Sequence, residues 1–325
     1  MDSNIIKAIK VSRPNLSENS YKTYLYNLKG IKACMNLNPN KLDSVSFLTN
    51  YDKVIKCIAD NTKSLASIKA KITAVVVALT SVSKPNKKLI EKYRTYMDDI
   101  AKKHNEFISK NEKSDSQEKN WIGYEQLIEV CNKLKVEYQK LRKKKKLYQN
   151  EYRLLQGYVM LRMQLAYPIR NDFANMKILD EDDYEKLDDK IKDRNNYLVR
   201  DGQDLVIHIN NYKTSKRLGQ KQYKIKPTLT KLINDFLKIN TSGYLLVKPS
   251  KRNVGLTEVD ITKQFNWIFK QYYPDKKIST SMIRHILISH DRQNDPTIKE
   301  QQEKNKKIEN RYLHSEKMNS QYNKK

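Results

Sequence analysis

Apolar residues recur at helical spacing through the first third of the chain. Tyr21, Tyr24, Leu25, Leu28 and Ile31 fall on one face behind Ser17, a plausible N-cap with Glu18 and Ser20 in the first turn. The same period predicts helices near 45–59, over 64–82 (Leu65, Ile68, Ile72, Val75, Leu79) and over 87–109 (Leu89, Tyr93, Tyr96, Met97, Ile100), with Pro85 punctuating the last two. Residues 1–15 read as a loose arm ending at Pro14. The stretch KNEKSDSQEKN, 110–120, has no apolar residue and reads as a linker.

Beyond Trp121 a stripe of Leu127, Cys131, Leu134, Tyr138 and Leu141 predicts a long helix, and 151–165 a buried one. Pro168 turns the chain, and Arg170 opens the next element, with Phe173, Met176 and Ile178 in an apolar-periodic stretch. Residues 205–229 read as a hairpin: Leu205, Ile207 and Ile209 alternate, a glycine-containing turn follows, and Tyr223 and Ile225 alternate again. A helix near 228–238, a short strand at 244–247, a helix carrying Ile261, Phe265, Ile268 and Phe269, and a final amphipathic segment with Met282, Ile283, Ile286 and Leu287 complete the pattern. It predicts a mainly α chain with a small antiparallel β-sheet (α+β), divided into domains 1–112 and 113–325.

Charge changes the picture most. In 325 residues Lys+Arg number 64 against 37 acids, a net charge of +27. The excess is spread along the chain, which favours a polyanion, nucleic acid above all, as partner. An AT-rich genome would explain 51 lysines beside 13 arginines, but not acids so far outnumbered. The densest run, KLRKKKKL at 140–147, would suit a phosphate backbone beside the inferred domain junction, or lie on a solvated helix face. Cys34, Cys57 and Cys131 are widely spaced, so neither a zinc site nor a disulfide framework is indicated; they read as small buried hydrophobes in an intracellular, reducing compartment. The longest apolar run, ITAVVVAL at 72–79, is far short of a membrane span, and no signal-peptide core opens the chain. No glycine-rich phosphate loop and no metal-ligand spacing occur, so no cofactor is expected.

The candidate chemistry is concentrated late. Arg284 and His285 lie inside the last apolar helical pattern, and His314 precedes Tyr322 by eight residues. A tyrosine hydroxyl can attack a phosphodiester while arginines, with their planar fork of donors, hold the non-bridging oxygens. Upstream, Arg170 stands in a Pro-Ile-Arg-Asn-Asp context and Lys213 near the hairpin tip. In that order, Arg170, Lys213, Arg284 with His285, His314 with Ser315, and Tyr322, the chain resembles the tyrosine recombinase (phage integrase) family. The likeness is nearest to the divergent forms of large DNA viruses, virophages and eukaryotic mobile elements. It covers roughly residues 120–325.

The resemblance implies a site-specific DNA recombinase or integrase working through a covalent 3′-phosphotyrosine. Tyr322 would be the nucleophile, Arg170 and Arg284 the phosphate clamp, His314 a donor, and Lys213 the acid for the leaving 5′-oxygen, with no metal or organic cofactor. It further implies that residues 1–112 form a core-binding domain, that double-stranded DNA is the partner, and that the protein associates with itself as a dimer or tetramer on DNA. Lys216 is the alternative to Lys213, and Tyr312 to Tyr322. The family usually places a basic residue three positions before the second arginine, where this chain has Ser281; its usual gap from late histidine to nucleophile is nine. These departures leave two other readings open: a type IB-like topoisomerase, separable by supercoil relaxation by the monomer, and a DNA-binding protein that forms no covalent link.

Overall fold

A computed structural model describes residues 4–110, 112–292, 307 and 311. The chain divides into two compact units, Met1–Lys110 and Asn111–Lys325.

The first unit is all helical. Its opening stretch, expected as a loose arm, is helix α1 (Asn4–Ser12), which buries Ile5, Ile6 and Ile9. A helix of nine residues does not hold itself together in water; tertiary burial of those isoleucines, worth about 1.5–3 kcal/mol each, does. Ser12 Oγ meets Ser81 Oγ at 2.7 Å, and Tyr21 donates to Arg13 O at 2.7 Å. Helix α2 (Glu18–Cys34) starts as expected, with the Ser17 side chain accepting from Ser20 N. The expected helix over 45–59 is interrupted: a 3-10 turn at Ser46–Leu48 precedes α3 (Tyr51–Asp60), because Asn50 accepts from Lys53 N and starts a new helix. Helix α4 (Leu65–Thr80) buries Ile72 and every residue from Ala74 to Leu79, as suits a helix surrounded by others. Helix α5 (Lys87–Ser109) is capped by Asn86 and ties down the 3-10 turn through Tyr93 Oη, which donates to Leu48 O at 2.8 Å. No helix among the described residues is long and apolar enough to cross a membrane.

Cys34 and Cys57 are disulfide-bonded, with Cα atoms 6.0 Å apart, within the usual span of such a bridge. This corrects the expectation of three unpaired cysteines, and the inference of a reducing compartment loses the support it drew from this pair. Sequence spacing hid the pairing, because the turn from α2 into α3 brings the two residues together. Cys131 is free and buried, and burial pushes its thiol up to about 11.

In the second unit the expected linker folds into α6 (Asp115–Asn120), started by a capping box in which Ser114 and Gln117 exchange side-chain and backbone bonds. Its carboxyl end is docked by polar contacts: Lys276 Nζ donates to the backbone Trp121 O at 2.7 Å, and Lys277 N to the Asn120 side-chain Oδ1 at 2.6 Å. Helices α7 (Tyr124–Leu141) and α8 (Gln149–Ala166) follow as expected. Of the basic run, Lys140 and Leu141 end α7, and residues 142–147 form the loop between these two helices rather than a helix face.

The sheet is mixed, not purely antiparallel. β1 (Lys177–Asp180) runs parallel to β2 (Asn196–Asp201), and β2, β3 (Asp204–Ile209) and β4 (Lys221–Lys224) pair antiparallel in the order β1-β2-β3-β4. The parallel pair arises because the chain crosses over through α9 (Glu181–Glu185) and α10 (Asp189–Lys192), two short polar helices whose residues carry no apolar period to announce them. The predicted 205–229 hairpin is β3–β4, with a one-turn helix α11 (Ser215–Leu218) at its tip, ended by Gly219 at φ 69°. Then come α12 (Pro227–Leu237), the hairpin β5 (Val247–Lys248) and β6 (Lys251–Gly255), α13 (Glu258–Lys270) and α14 (Thr280–Arg292).

Helix α8 is the axis of this core. Gln156 accepts from Val247 N at 2.8 Å and donates to Val247 O at 3.0 Å, docking β5. A Cβ on Gly157 would lie 2.6 Å from Ile268 Cδ1, so glycine leaves room for that side chain where α13 packs on α8. The carboxyl end of α8 delivers the chain to Arg170.

Candidate active site

Tyr167 ends α8, and Pro168 and Ile169 are buried, with Gln164 Nε2 donating to Ile169 O at 2.9 Å. Arg170 follows on a tight turn whose backbone N–H donates to Asp172 Oδ2 at 3.1 Å. Asn171 fixes this turn to two helices. Its Nδ2 reaches Glu258 O at 3.0 Å and Thr262 Oγ1 at 3.1 Å on α13, and its Oδ1 accepts from Thr280 Oγ1 at the start of α14.

Helix α14 points its apolar stripe, Met282, Ile283, Ile286 and Leu287, into the core, and Arg284 goes inward with it. Arg284 is 0% exposed, and its Nε donates to Pro168 O at 2.8 Å. The structure therefore brings Arg284 against the turn that carries Arg170, across more than a hundred residues of sequence. Asp172 records the juxtaposition electrostatically. Burial pushes its carboxyl up to about 6, while the guanidinium charges of Arg170 and Arg284 both pull the other way. His285, half-buried on α14, lies with Nε2 3.2 Å from Gln117 Nε2 of α6. Ser281, where the family resemblance calls for a base, is exposed in the first turn of α14.

Lys213 lies just past β3, exposed, at the start of the β3–β4 connection; Lys216 is exposed on α11. The buried Tyr212 beside Lys213 closes the tip by donating to Gly219 O at 2.7 Å. The base of this connection is tied to the arginine turn by Asn196, a residue no sequence pattern singled out. Its Nδ2 donates to Asp172 O at 2.8 Å and to Asn211 O at 3.0 Å, and its Oδ1 accepts from Asn210 N at 2.9 Å and Asn211 N at 2.8 Å. One of two adjacent asparagines before an apolar strand reads as an ordinary turn residue, and only the tertiary structure reveals four bonds to two separate segments. Asp172 was legible only as part of the Pro-Ile-Arg-Asn-Asp context.

His314 and Tyr322, with the alternative Tyr312, lie outside the described residues. Arg311 is described: its guanidinium donates to Asp291 Oδ2 at 3.2 Å on α14 and to Leu165 O at 3.0 Å on α8. Chemically, the described part of the site offers two guanidiniums beside one half-buried carboxyl, a half-buried imidazole and an ammonium on a neighbouring hairpin. That set suits an oxyanion with several oxygens, such as a phosphodiester. Among the described residues no cluster of His, Cys, Asp and Glu could hold a metal ion.

No family model matches the chain, and no curated protein matches it. Among solved structures, the crystal structure of XerA recombinase is similar over 98% of this chain and 92% of that one, at 13% identity and a TM-score of 0.39.

Proposed function

We propose that this protein cleaves and rejoins DNA strands as a tyrosine recombinase. The observation that supports this best is the pairing of Arg170 and Arg284 beside Asp172, with Arg284 fully buried at the carbonyl of Pro168. A buried arginine costs desolvation energy, and a clamp for a phosphoryl group is a use for which its rigid fork is suited.

In this reading Tyr322 Oη attacks the scissile phosphorus, forming a tyrosine–phosphorus bond as the bond to the 5′-oxygen breaks. The two arginines hold the non-bridging oxygens as charge grows on them. Lys213 gives its proton to the departing 5′-oxygen, and His314 assists proton transfer. The 5′-hydroxyl so freed attacks the phosphotyrosine in the reverse sense, so rejoining needs no external energy source. Residues 113–325 act as the catalytic domain and 1–112 grip the duplex from elsewhere, with self-association on DNA pairing two sites. Integration by a viral or mobile element is the setting in which such a chain would act.

Incubation with a nicked suicide duplex carrying the element's own ends, then a denaturing gel, tests this reading. A covalent adduct should form in EDTA, disappear in Tyr322→Phe with DNA binding retained, and persist in Tyr312→Phe. An adduct that needs magnesium, or no adduct from any substrate that the protein binds, would refute it.

A further inference from the structure

We infer that the loop between α7 and α8, together with the start of β6, is a second contact surface for double-stranded DNA, separate from the arginine pair. Helix α7 stops at Leu141, and Leu141 and Leu147 are both buried. All five residues between them, Arg142 to Lys146, are basic and exposed. On a helix these charges would be distributed around the axis. Here the two leucines anchor the ends of a short loop and force all five outward from one place.

Two of the five are matched by carboxylates: Arg142 to Asp235 at 3.0 Å and Lys144 to Glu151 at 2.6 Å. Glu151 also accepts from Tyr148 N at 2.9 Å, so the pairs brace the loop at either end. Among the described residues no carboxylate lies within ion-pair distance of Lys143, Lys145 or Lys146. Arg252 then joins β6 to the loop: it donates to Leu147 O at 2.7 Å and stacks over the Tyr152 ring at 4.2 Å. The exposed Lys251 precedes it, and Tyr148, 71% exposed, stands beside the lysines.

Like charges held this close repel, and nothing in the fold gains from their proximity. A polyanion relieves the repulsion by releasing its own counterions. The choice of duplex DNA over an acidic protein groove follows from the bracing: a receptor for lysine-rich peptides takes an extended segment, whereas this run is fixed at both ends. The loop precedes the first turn of α8 and Arg170 follows its last. A helix of 18 residues is about 27 Å long, which corresponds to roughly eight base pairs of duplex. The contact itself stands on the charges alone; its register to a cleaved phosphate rests on the function proposed above.

Lysine acetylation of the full chain, read by mass spectrometry with and without a duplex of several helical turns, tests the surface. Lys143, Lys145 and Lys146 should be protected while exposed Lys186 and Lys190, near α9 and α10, stay reactive. The triple variant Lys143→Ala, Lys145→Ala, Lys146→Ala should melt like the unmutated protein, yet reduce the slope of log affinity against log salt by about 2.7, or 0.9 per lost phosphate contact. Unprotected lysines, uniform protection of all lysines, or an unchanged slope would overturn the inference. So would an unchanged slope with loss of nuclear accumulation, which would assign the run to an import receptor. Protection here without any tyrosine adduct would leave this surface standing and remove the recombinase reading.

Discussion

Arg284 and Lys213 carry the same formal charge in opposite circumstances. Arg284 is sealed in the core of α14, its direction set by the Pro168 carbonyl, whereas Lys213 is exposed at the edge of a hairpin. A cation that must meet a phosphate at a fixed place gains from a rigid, prepaid geometry. A proton donor that acts once, as a bond breaks, tolerates a mobile support. On the proposed function the first task would fall to Arg284 and the second to Lys213, so stability and rate should separate between the two residues.

The largest effect is expected at Arg284. Arg284→Ala leaves the Pro168 carbonyl without its donor, so it should abolish adduct formation and cost about 1–3 kcal/mol in denaturant unfolding. Arg284→Lys keeps the charge but not the Nε donor or the fork, and should restore little cleavage. Wild-type stability in the alanine variant would break the comparison.

Lys213→Ala should leave stability within about 0.5 kcal/mol, since the side chain is exposed. Cleavage of ordinary DNA should slow by on the order of 10² to 10⁴, the usual worth of a positioned acid. A substrate with sulfur in place of the bridging 5′-oxygen should restore the rate, because a thiolate leaves unprotonated. Rescue of Lys216→Ala but not Lys213→Ala would move the acid to α11.

Asn196 joins the two halves of the comparison. Asn196→Ala strips acceptors from Asn210 N and Asn211 N and a donor from Asp172 O, and should cost about 1–3 kcal/mol. Asn196→Asp keeps the acceptor and should recover part of that loss. If the alanine variant slows ordinary and sulfur-bridged substrates equally, the residue acts through the arginine turn; selective rescue by sulfur would place its effect on the lysine hairpin.

The last test is a pH dependence. The carboxyl of Asp172 is raised to about 6, so between its unfolded value near 3.9 and about 6 the folded state holds the extra proton. Its contribution therefore favours folding below about pH 4 and is lost as pH rises through 6. Asp172→Asn should flatten that component: unfolding free energies of the two proteins should converge toward low pH, separate as pH rises from about 4 to 6 in favour of the variant, and differ by a constant amount above that window. A constant difference across the window itself would mean that the carboxyl titrates normally.

Periodicity alone determined most helices of this protein, because a stripe such as Leu127, Cys131, Leu134, Tyr138 and Leu141 has one economical burial. The alternation of Leu205, Ile207 and Ile209 likewise determined the β3–β4 hairpin, and motif order brought Arg170 and Arg284 forward as partners before any contact was visible. Tertiary structure alone decided what local pattern does not encode. Helix α1 exists because three isoleucines find a core. Helix α6 exists because a capping box and polar docking replace an apolar face. β1 lies parallel to β2 because two short polar helices return the chain to the same edge. The Cys34–Cys57 bridge, the four bonds of Asn196 and the exposure of five adjacent cations between Leu141 and Leu147 all depend on which distant segments meet. Sequence spacing specifies the face a residue occupies; only packing specifies what stands opposite.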